Sequence, residues 1–207
     1  VIGSDDTITA MGTVPIFESV RRSCGDQVRL ALLSGQLVII PAGILPEIKE
    51  IADKIKVAFS TKELPNTEYL VITFSGSNKN KVAIITEAFG QGLIQVLVGT
   101  KSLLGEGWDS PCINSLILAS FVGSFVLSNQ MRGRAIRVDV NSPRKVSNIW
   151  HLVTVDPPYV SDNKFKELLQ RPMLEDSSIL ESADFETLTR RFACFMGPTY
   201  SNNVIEN

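Results

Sequence analysis

Short apolar runs alternate with amphipathic stretches along this chain, and this alternation predicts strands and helices in turn. Ile48, Ile51, Ala52 and Ile55 lie at i, i+3, i+4 and i+7, which predicts a helix with one buried face. The predicted strands are Arg29–Leu33, Leu37–Pro41, Tyr69–Phe74, Leu93–Val98, Ser115–Ala119 and Ile149–Val155. The predicted helices are Pro15–Cys24, Pro46–Ala58, Asn80–Phe89, Phe125–Met131 and Ala183–Phe195.

This order of elements predicts an α/β fold, with a mainly parallel sheet and helices on both faces. Only Ser34-Gly35-Gln36 separates the first two predicted strands, which also fits a hairpin. The pattern loosens after Asp156-Pro157-Pro158 into an irregular or helical extension, which either docks back or begins another domain. We therefore expect a lead-in helix and strand over residues 1–35, a core domain over 36–156, and a linker with a helical extension over 157–207. Because Val1 is not an initiator methionine, we expect a longer parent protein.

Composition fits an ordinary globular chain of 207 residues, with 44% hydrophobic and 20% charged residues. The net charge of −2 does not favour nucleic acid overall, but the stretch from Asn129 to Lys145 carries five basic residues against Asp139 alone. Three widely spaced cysteines, Cys24, Cys112 and Cys194, predict neither a disulfide framework nor a metal site and fit an intracellular, cytoplasmic location. Neither a signal peptide nor an apolar run long enough to span a membrane is apparent.

Gln130–Arg137, QMRGRAIR, is the first of two segments with candidate chemistry, and we call it the arginine motif. If this segment is helical, Gln130, Arg134 and Arg137 share one face at i, i+4 and i+7. Guanidinium groups bind phosphate oxygens in a bidentate manner, and arginines stabilise the charge that develops in phosphoryl transfer. Gly133 is a poor helix former, which indicates close approach by backbone or ligand. Taken alone, the segment fits a solvated basic helix end better than a ligand site.

Gly99–Asp109, GTKSLLGEGWD, is the second, and we call it the acidic glycine motif. It leaves the carboxyl end of a predicted buried strand, where ligands collect in open parallel sheets. Gly107 permits close backbone approach, and Glu106 and Asp109 supply acceptors for a sugar hydroxyl or an arginine. An ordinary turn with solvated acids is the competing interpretation.

The two motifs, in this order, resemble motifs V and VI of superfamily two DNA/RNA helicases. GTKSLLGEGWDSP resembles motif V, and QMRGRAIR resembles the motif VI pattern Q-x-x-G-R-x-x-R. LVIIP followed by EIKEIADKIK resembles motif IV, so the resemblance covers residues 36–155. Met131 departs from the pattern, since many relatives carry another arginine there.

This resemblance implies a RecA-like fold, the second motor domain of an ATP-dependent helicase or translocase, and a set of site residues. It implies that Arg134 and Arg137 are arginine fingers and that Gln130 helps to organise them. It implies that Gly107, Asp109 and Glu106 approach the nucleotide. The residues that it implies for the nucleic-acid backbone are Thr100, Gly76, Ala42 and Gly43.

The chain contains no GxxxxGK[ST] phosphate loop. The resemblance implies that ATP and Mg²⁺ are held mainly by a first RecA-like domain of the same protein, so we expect this chain alone to be inactive and to hold no metal. The implied partners are that domain and DNA or RNA, a choice that the sequence leaves open. A catalytically inactive nucleic-acid or protein interaction module is the alternative, and a Rossmann-like enzyme is disfavoured because no GxGxxG follows the first strand.

Overall fold

A computed structural model describes residues 2–104, 108–119, 125–153, 182–192, 197–198 and 205–206. The chain divides into two compact units, Val1–Ile113 with Ile136–Lys145, and Asn114–Ala135 with Val146–Asn207. Both contain helices and strands, so the predicted α/β class is confirmed.

A five-stranded sheet forms the first unit, in the order β3-β4-β2-β1-β5. Its strands are β1 (Leu30–Leu33), β2 (Val38–Pro41), β3 (Phe59–Glu63), β4 (Tyr69–Phe74) and β5 (Val96–Gly99). Its helices are α1 (Thr13–Cys24), α2 (Leu45–Lys54), α3 (Asn78–Gly90) and the short α4 (Lys101–Leu104).

The prediction of a mainly parallel sheet is wrong for this unit. Of its four pairings, only β1 with β5 is parallel, and the other three are antiparallel. The physical reason is connection length. Residues 34–37 join β1 to β2 and residues 64–68 join β3 to β4, and such short links permit only antiparallel neighbours. The hairpin interpretation of the first two strands is confirmed.

Helices cover both faces of this sheet, as predicted. On one face, Ile48 of α2 and Ile84 of α3 pack in a core with Ala31 and Leu33. On the other, Phe17 of α1 packs with Leu30, Leu32, Ile39 and Tyr69. Successive side chains of β1 therefore pack in the cores on opposite faces of the sheet, because neighbouring residues of a strand point to opposite faces.

The position of β1 changes the expected organisation. It lies inside the sheet, between β2 and β5, so residues before 36 belong to the same unit as those after it. The predicted helix over Pro46–Ala58 also ends earlier, at Lys54, and Ile55 is exposed rather than buried.

Helix α1 carries a buried charge cluster, which we call the Glu18 cluster. Glu18 is fully buried, and its carboxylate accepts hydrogen bonds from Arg21 at 2.7 and 2.8 Å and from Arg22 at 2.8 Å. The hydrogen bonds from Arg21, opposed by burial and reinforced by Arg22, lower the pKa of Glu18 from 4.5 to about 2. The arginines lie at i+3 and i+4, so one helix supplies the whole cluster.

The second unit contains the parallel pair β6 (Ser115–Leu118) and β7 (Asn148–His151), joined through α5 (Phe125–Ala135). This arrangement is a βαβ unit. Farther along are α6 (Ala183–Phe192) and the short antiparallel pair β8 (Gly197–Pro198) and β9 (Ile205–Glu206). Within the described ranges, no helix has the length and apolar character needed to cross a membrane.

Candidate nucleotide and nucleic-acid site

Strands β1, β4 and β5 run in one direction, and their carboxyl ends therefore meet at one edge of the five-stranded sheet. We call this the carboxyl edge. Thr100 follows β5 there, and Gly76 follows β4. The structure thus places these two predicted nucleic-acid residues at the same edge.

Ala42 and Gly43 lie at the opposite edge. They follow β2, which is antiparallel to both β1 and β4. Their predicted grouping with Thr100 and Gly76 assumed a parallel β2, and the four-residue link from β1 excludes that direction. The structure does not bring the two pairs together.

Backbone bonds fix the position of Thr100 at the start of the acidic glycine motif. Its amide donates to the Leu33 carbonyl at 3.2 Å, and its own carbonyl accepts from the amides of Leu103 and Leu104 at 3.0 Å. The chain folds back so closely that a Cβ added to Gly99 would lie 2.7 Å from Leu104 Cγ. Gly99 is therefore required for close packing between β5 and α4.

The Gly76 loop takes a conformation that favours glycine, since Gly76 has φ +88°. Ser77 then precedes α3, and no acidic residue occupies the first turn of that helix. The turn instead carries Lys79 and Lys81.

Trp108 anchors the far end of the acidic glycine motif on α3. Its indole N–H donates to Thr86 Oγ1 at 2.7 Å, its ring lies 6.5 Å from that of Phe89, and the residue is 8% exposed. Ser110, two positions on, is also buried. Asp109 therefore projects from a segment held on both sides. The sequence analysis did not single out Trp108, although a lone tryptophan in a polar glycine segment is a usable signal for an anchor.

Asp109 and Arg137 form an ion pair between their carboxylate and guanidinium groups. Their side chains are 53% and 49% exposed, so both groups are accessible to solvent. A second contact holds the same two segments together, because Lys145 Nζ donates to the Pro111 carbonyl at 2.6 Å. The structure thus joins the acidic glycine motif to the last arginine of the arginine motif.

Gln130 and Arg134 lie on α5 four residues apart and so share a helix face, as predicted. Arg137 does not share that face, because α5 ends at Ala135, which is beyond the predicted end at Met131 but short of Arg137. Ser147 Oγ donates to the Ala135 carbonyl at 2.6 Å and satisfies an acceptor that a helix end leaves without a partner. Arg137 instead follows the helix and belongs to the first unit.

Gly133 has space around it. A Cβ added there would meet no heavy atom of the described residues within 4 Å. Close packing among the described residues therefore does not explain this glycine. Glu106 and Gly107, predicted for the nucleotide, lie outside the described residues.

The chemistry of this arrangement is that of anion and hydroxyl recognition. A guanidinium has the donors to bind phosphate oxygens in a fork, and a carboxylate has acceptors for a hydroxyl. No group of three or more metal-ligating side chains occurs among the residues that the structure covers.

Comparison with known proteins gives no relative: no family model, no curated protein and no solved structure matches this chain.

Proposed function

We propose that this chain is the second motor domain of an ATP-dependent DNA or RNA helicase or translocase. The observation that carries the proposal is the Asp109–Arg137 ion pair, which joins the two motifs that resemble helicase motifs V and VI. Two sequence segments 28 positions apart thereby contribute to one solvent-accessible site. Both side chains are about half exposed, which leaves them accessible to a ligand.

The connections between strands also support the proposal. The β6–α5–β7 unit contains the arginine motif, and α3 connects β4 to β5, which run in the same direction. Both are crossover connections of the kind that RecA-like domains use, and they are the basis for proposing a RecA-like core here.

In the proposed mechanism, this domain completes an ATP site whose phosphate loop lies on another domain. Arg137 and Arg134 are the proposed arginine fingers, Gln130 is proposed to help organise them, and Asp109, Gly107 and Glu106 are the residues proposed for the nucleotide. Bound ATP and Mg²⁺ would supply the scissile phosphoryl group and its charge neutralisation from the other side of the cleft. The proposed role of this chain is to stabilise charge and to hold the sugar.

The carboxyl edge is the proposed contact with nucleic acid, through Thr100 and the Gly76 loop. Contacts of this kind go to sugar and phosphate and carry no sequence information. Ala42 and Gly43 are left out of this contact because of their place at the opposite edge.

Hydrolysis of ATP by the purified chain, with and without single-stranded nucleic acid, tests the proposal. We expect no turnover from this chain, and nucleic-acid-stimulated turnover once it is joined to the domain that carries the phosphate loop. Nucleic-acid-stimulated ATP hydrolysis by this chain alone would contradict the proposal that the chain supplies only part of the ATP site. A joined protein that binds nucleic acid but never hydrolyses ATP would favour the interaction module.

A further inference from the structure

We propose that Lys81 binds a phosphate of the nucleic-acid backbone at the carboxyl edge. This inference rests on the proposed function, and it adds to it a residue that neither helicase-like motif contains.

Lys81 is a buried cation. The residue is 8% exposed, and its amine donates to the Gly35 carbonyl in the turn between β1 and β2. Among the residues that the structure describes, no carboxylate lies within ion-pair distance of this amine. Buried charges in proteins are ordinarily paired, so an ammonium with only a carbonyl partner indicates a missing anion.

The amine lies close to both proposed nucleic-acid contacts. Gly35 is two residues beyond Leu33, whose carbonyl accepts from the Thr100 amide, so the two carbonyls are at most about 7 Å apart. On the other side, a Cβ added to Gly76 would lie 3.1 Å from Asn80 Nδ2, next to Lys81 in sequence. Lys81 thus lies at the same edge as the loop that follows β4 and the start of the acidic glycine motif.

Charge at this edge is of one sign. The three segments that leave the carboxyl ends of β1, β4 and β5 are residues 34–37, 75–81 and 99–104. They contain Lys79, Lys81 and Lys101 and not one aspartate or glutamate, although the whole chain has a net charge of −2. An acid-free edge with three lysines attracts phosphates.

The chemistry of the ammonium fits this role. It has three donors, of which the Gly35 carbonyl takes one, and its flexible four-carbon stem lets the amine turn toward a ligand. Burial lowers the pKa of Lys81, because it removes water from around the ammonium. A phosphate oxygen compensates the buried charge.

The test is binding of a fluorescently labelled single-stranded oligonucleotide to the purified 207-residue chain, followed by anisotropy over a range of salt concentrations. We expect Lys81→Met to weaken binding about tenfold, as loss of one charge-assisted hydrogen bond requires. The slope of log K against log salt should also fall by about 0.7, the value for one lost phosphate contact on a single strand. Lys81→Arg should keep the slope.

Two controls separate a direct contact from a structural one. Lys49→Met removes an exposed lysine of α2, which follows β2 at the opposite edge, and should leave the slope unchanged. Thermal unfolding of each variant reports the fold. If Lys81→Met weakens binding with an unchanged salt slope, Lys81 only clamps the β1–β2 turn and the proposal fails.

A third arm distinguishes the source of the phosphate. ATP should not compete with the oligonucleotide, and competition that disappears in Lys81→Met would assign Lys81 to the nucleotide and overturn the proposal. If Lys81→Met binds like the unmodified chain, only the Lys81 inference falls. If the unmodified chain shows no salt-dependent binding, the nucleic-acid role itself is wrong and Lys81 falls with it.

Discussion

Two arginine–carboxylate clusters of this chain, the Glu18 cluster and the Asp109–Arg137 pair, differ in origin and in exposure. In the Glu18 cluster, one helix supplies all three side chains, the carboxylate is fully buried, and its pKa is lowered to about 2. In the Asp109–Arg137 pair, two distant segments each supply one side chain, and both are about half exposed.

Because of this difference in burial, we expect the Glu18 cluster to stabilise the fold and the Asp109–Arg137 pair to contribute little to stability. A buried carboxylate with two guanidinium partners contributes strongly to folding, because its charge is compensated only in the folded state. An exposed pair is typically worth between 0 and 1 kcal/mol, because water and salt screen it. The Asp109–Arg137 pair should therefore add little stability, and its guanidinium and carboxylate are accessible to the ligand that we propose.

Loss of Arg137 should give the largest effect of any single change. In the protein joined to its phosphate-loop domain, Arg137→Ala should lower the ATPase rate by about 10³ to 10⁵, the contribution of an arginine finger. The free energy of unfolding should change by less than about 1 kcal/mol, since the side chain is half exposed. Nucleic-acid-stimulated turnover and urea unfolding measure the two quantities. An ATPase rate near that of the unmodified protein would indicate that Arg137 is only a solvated residue just beyond the end of α5.

Low pH should destabilise the protein through protonation of Glu18 in the Glu18 cluster. The pKa of Glu18 is about 2 in the folded protein, and its ordinary value is 4.5. The contribution of ionised Glu18 to the free energy of unfolding is therefore fully present above pH 4.5 and is lost as the pH falls toward 2. At about 1.4 kcal/mol per pKa unit, the loss is about 3 kcal/mol. Urea unfolding between pH 7 and pH 2 measures it. Glu18→Gln should remove this part of the pH dependence.

Glu50 provides the matched control for that experiment. It pairs with Lys54 at 2.9 Å on α2, also at i,i+4, but its side chain is 70% exposed. Glu50→Gln should change the free energy of unfolding by less than about 0.5 kcal/mol. Equal effects of the two substitutions would show that burial does not distinguish the clusters.

Gly99→Ala should lower the free energy of unfolding by less than protonation of Glu18 does. The variant tests whether packing between β5 and α4 holds the acidic glycine motif in place. The added Cβ would overlap Leu104, so we expect a loss of about 1–3 kcal/mol. Chemical denaturation of the variant, compared with Gly35→Ala, measures this loss, because a Cβ at Gly35 would meet no described heavy atom within 4 Å. Equal stability of Gly99→Ala and the native chain would show that β5 and α4 do not pack closely.

Local pattern predicted the elements better than their arrangement. The period of Ile48, Ile51 and Ala52 located α2, and the apolar run at Tyr69–Phe74 located β4. The sequence analysis missed β3, because Phe59–Glu63 is an edge strand whose last four residues are exposed and polar. The directions of β2 and β4 depend on the short segments that join each to the preceding strand. A resemblance between motifs carries no information about strand direction.

The same limit applies to the site. The sequence identified Asp109 and Arg137 separately, and it grouped Arg137 with Arg134 only on the condition that the segment is helical. The helix ends at Ala135, whose carbonyl accepts a hydrogen bond from Ser147, twelve positions away. Long-range contacts of this kind leave no periodic signal, and the Trp108–Thr86 anchor is another example.

A charge exchange tests the central claim most directly, namely that Asp109 and Arg137 form a ligand site and not a structural contact. The double variant Asp109→Arg with Arg137→Asp keeps opposite charges at the two positions. In the protein joined to its phosphate-loop domain, we expect native stability and an ATPase rate still about 10³-fold or more below normal, because the guanidinium no longer lies where the phosphate needs it. ATPase activity near that of the native protein would contradict the account, since it would show that any ion pair at these positions suffices.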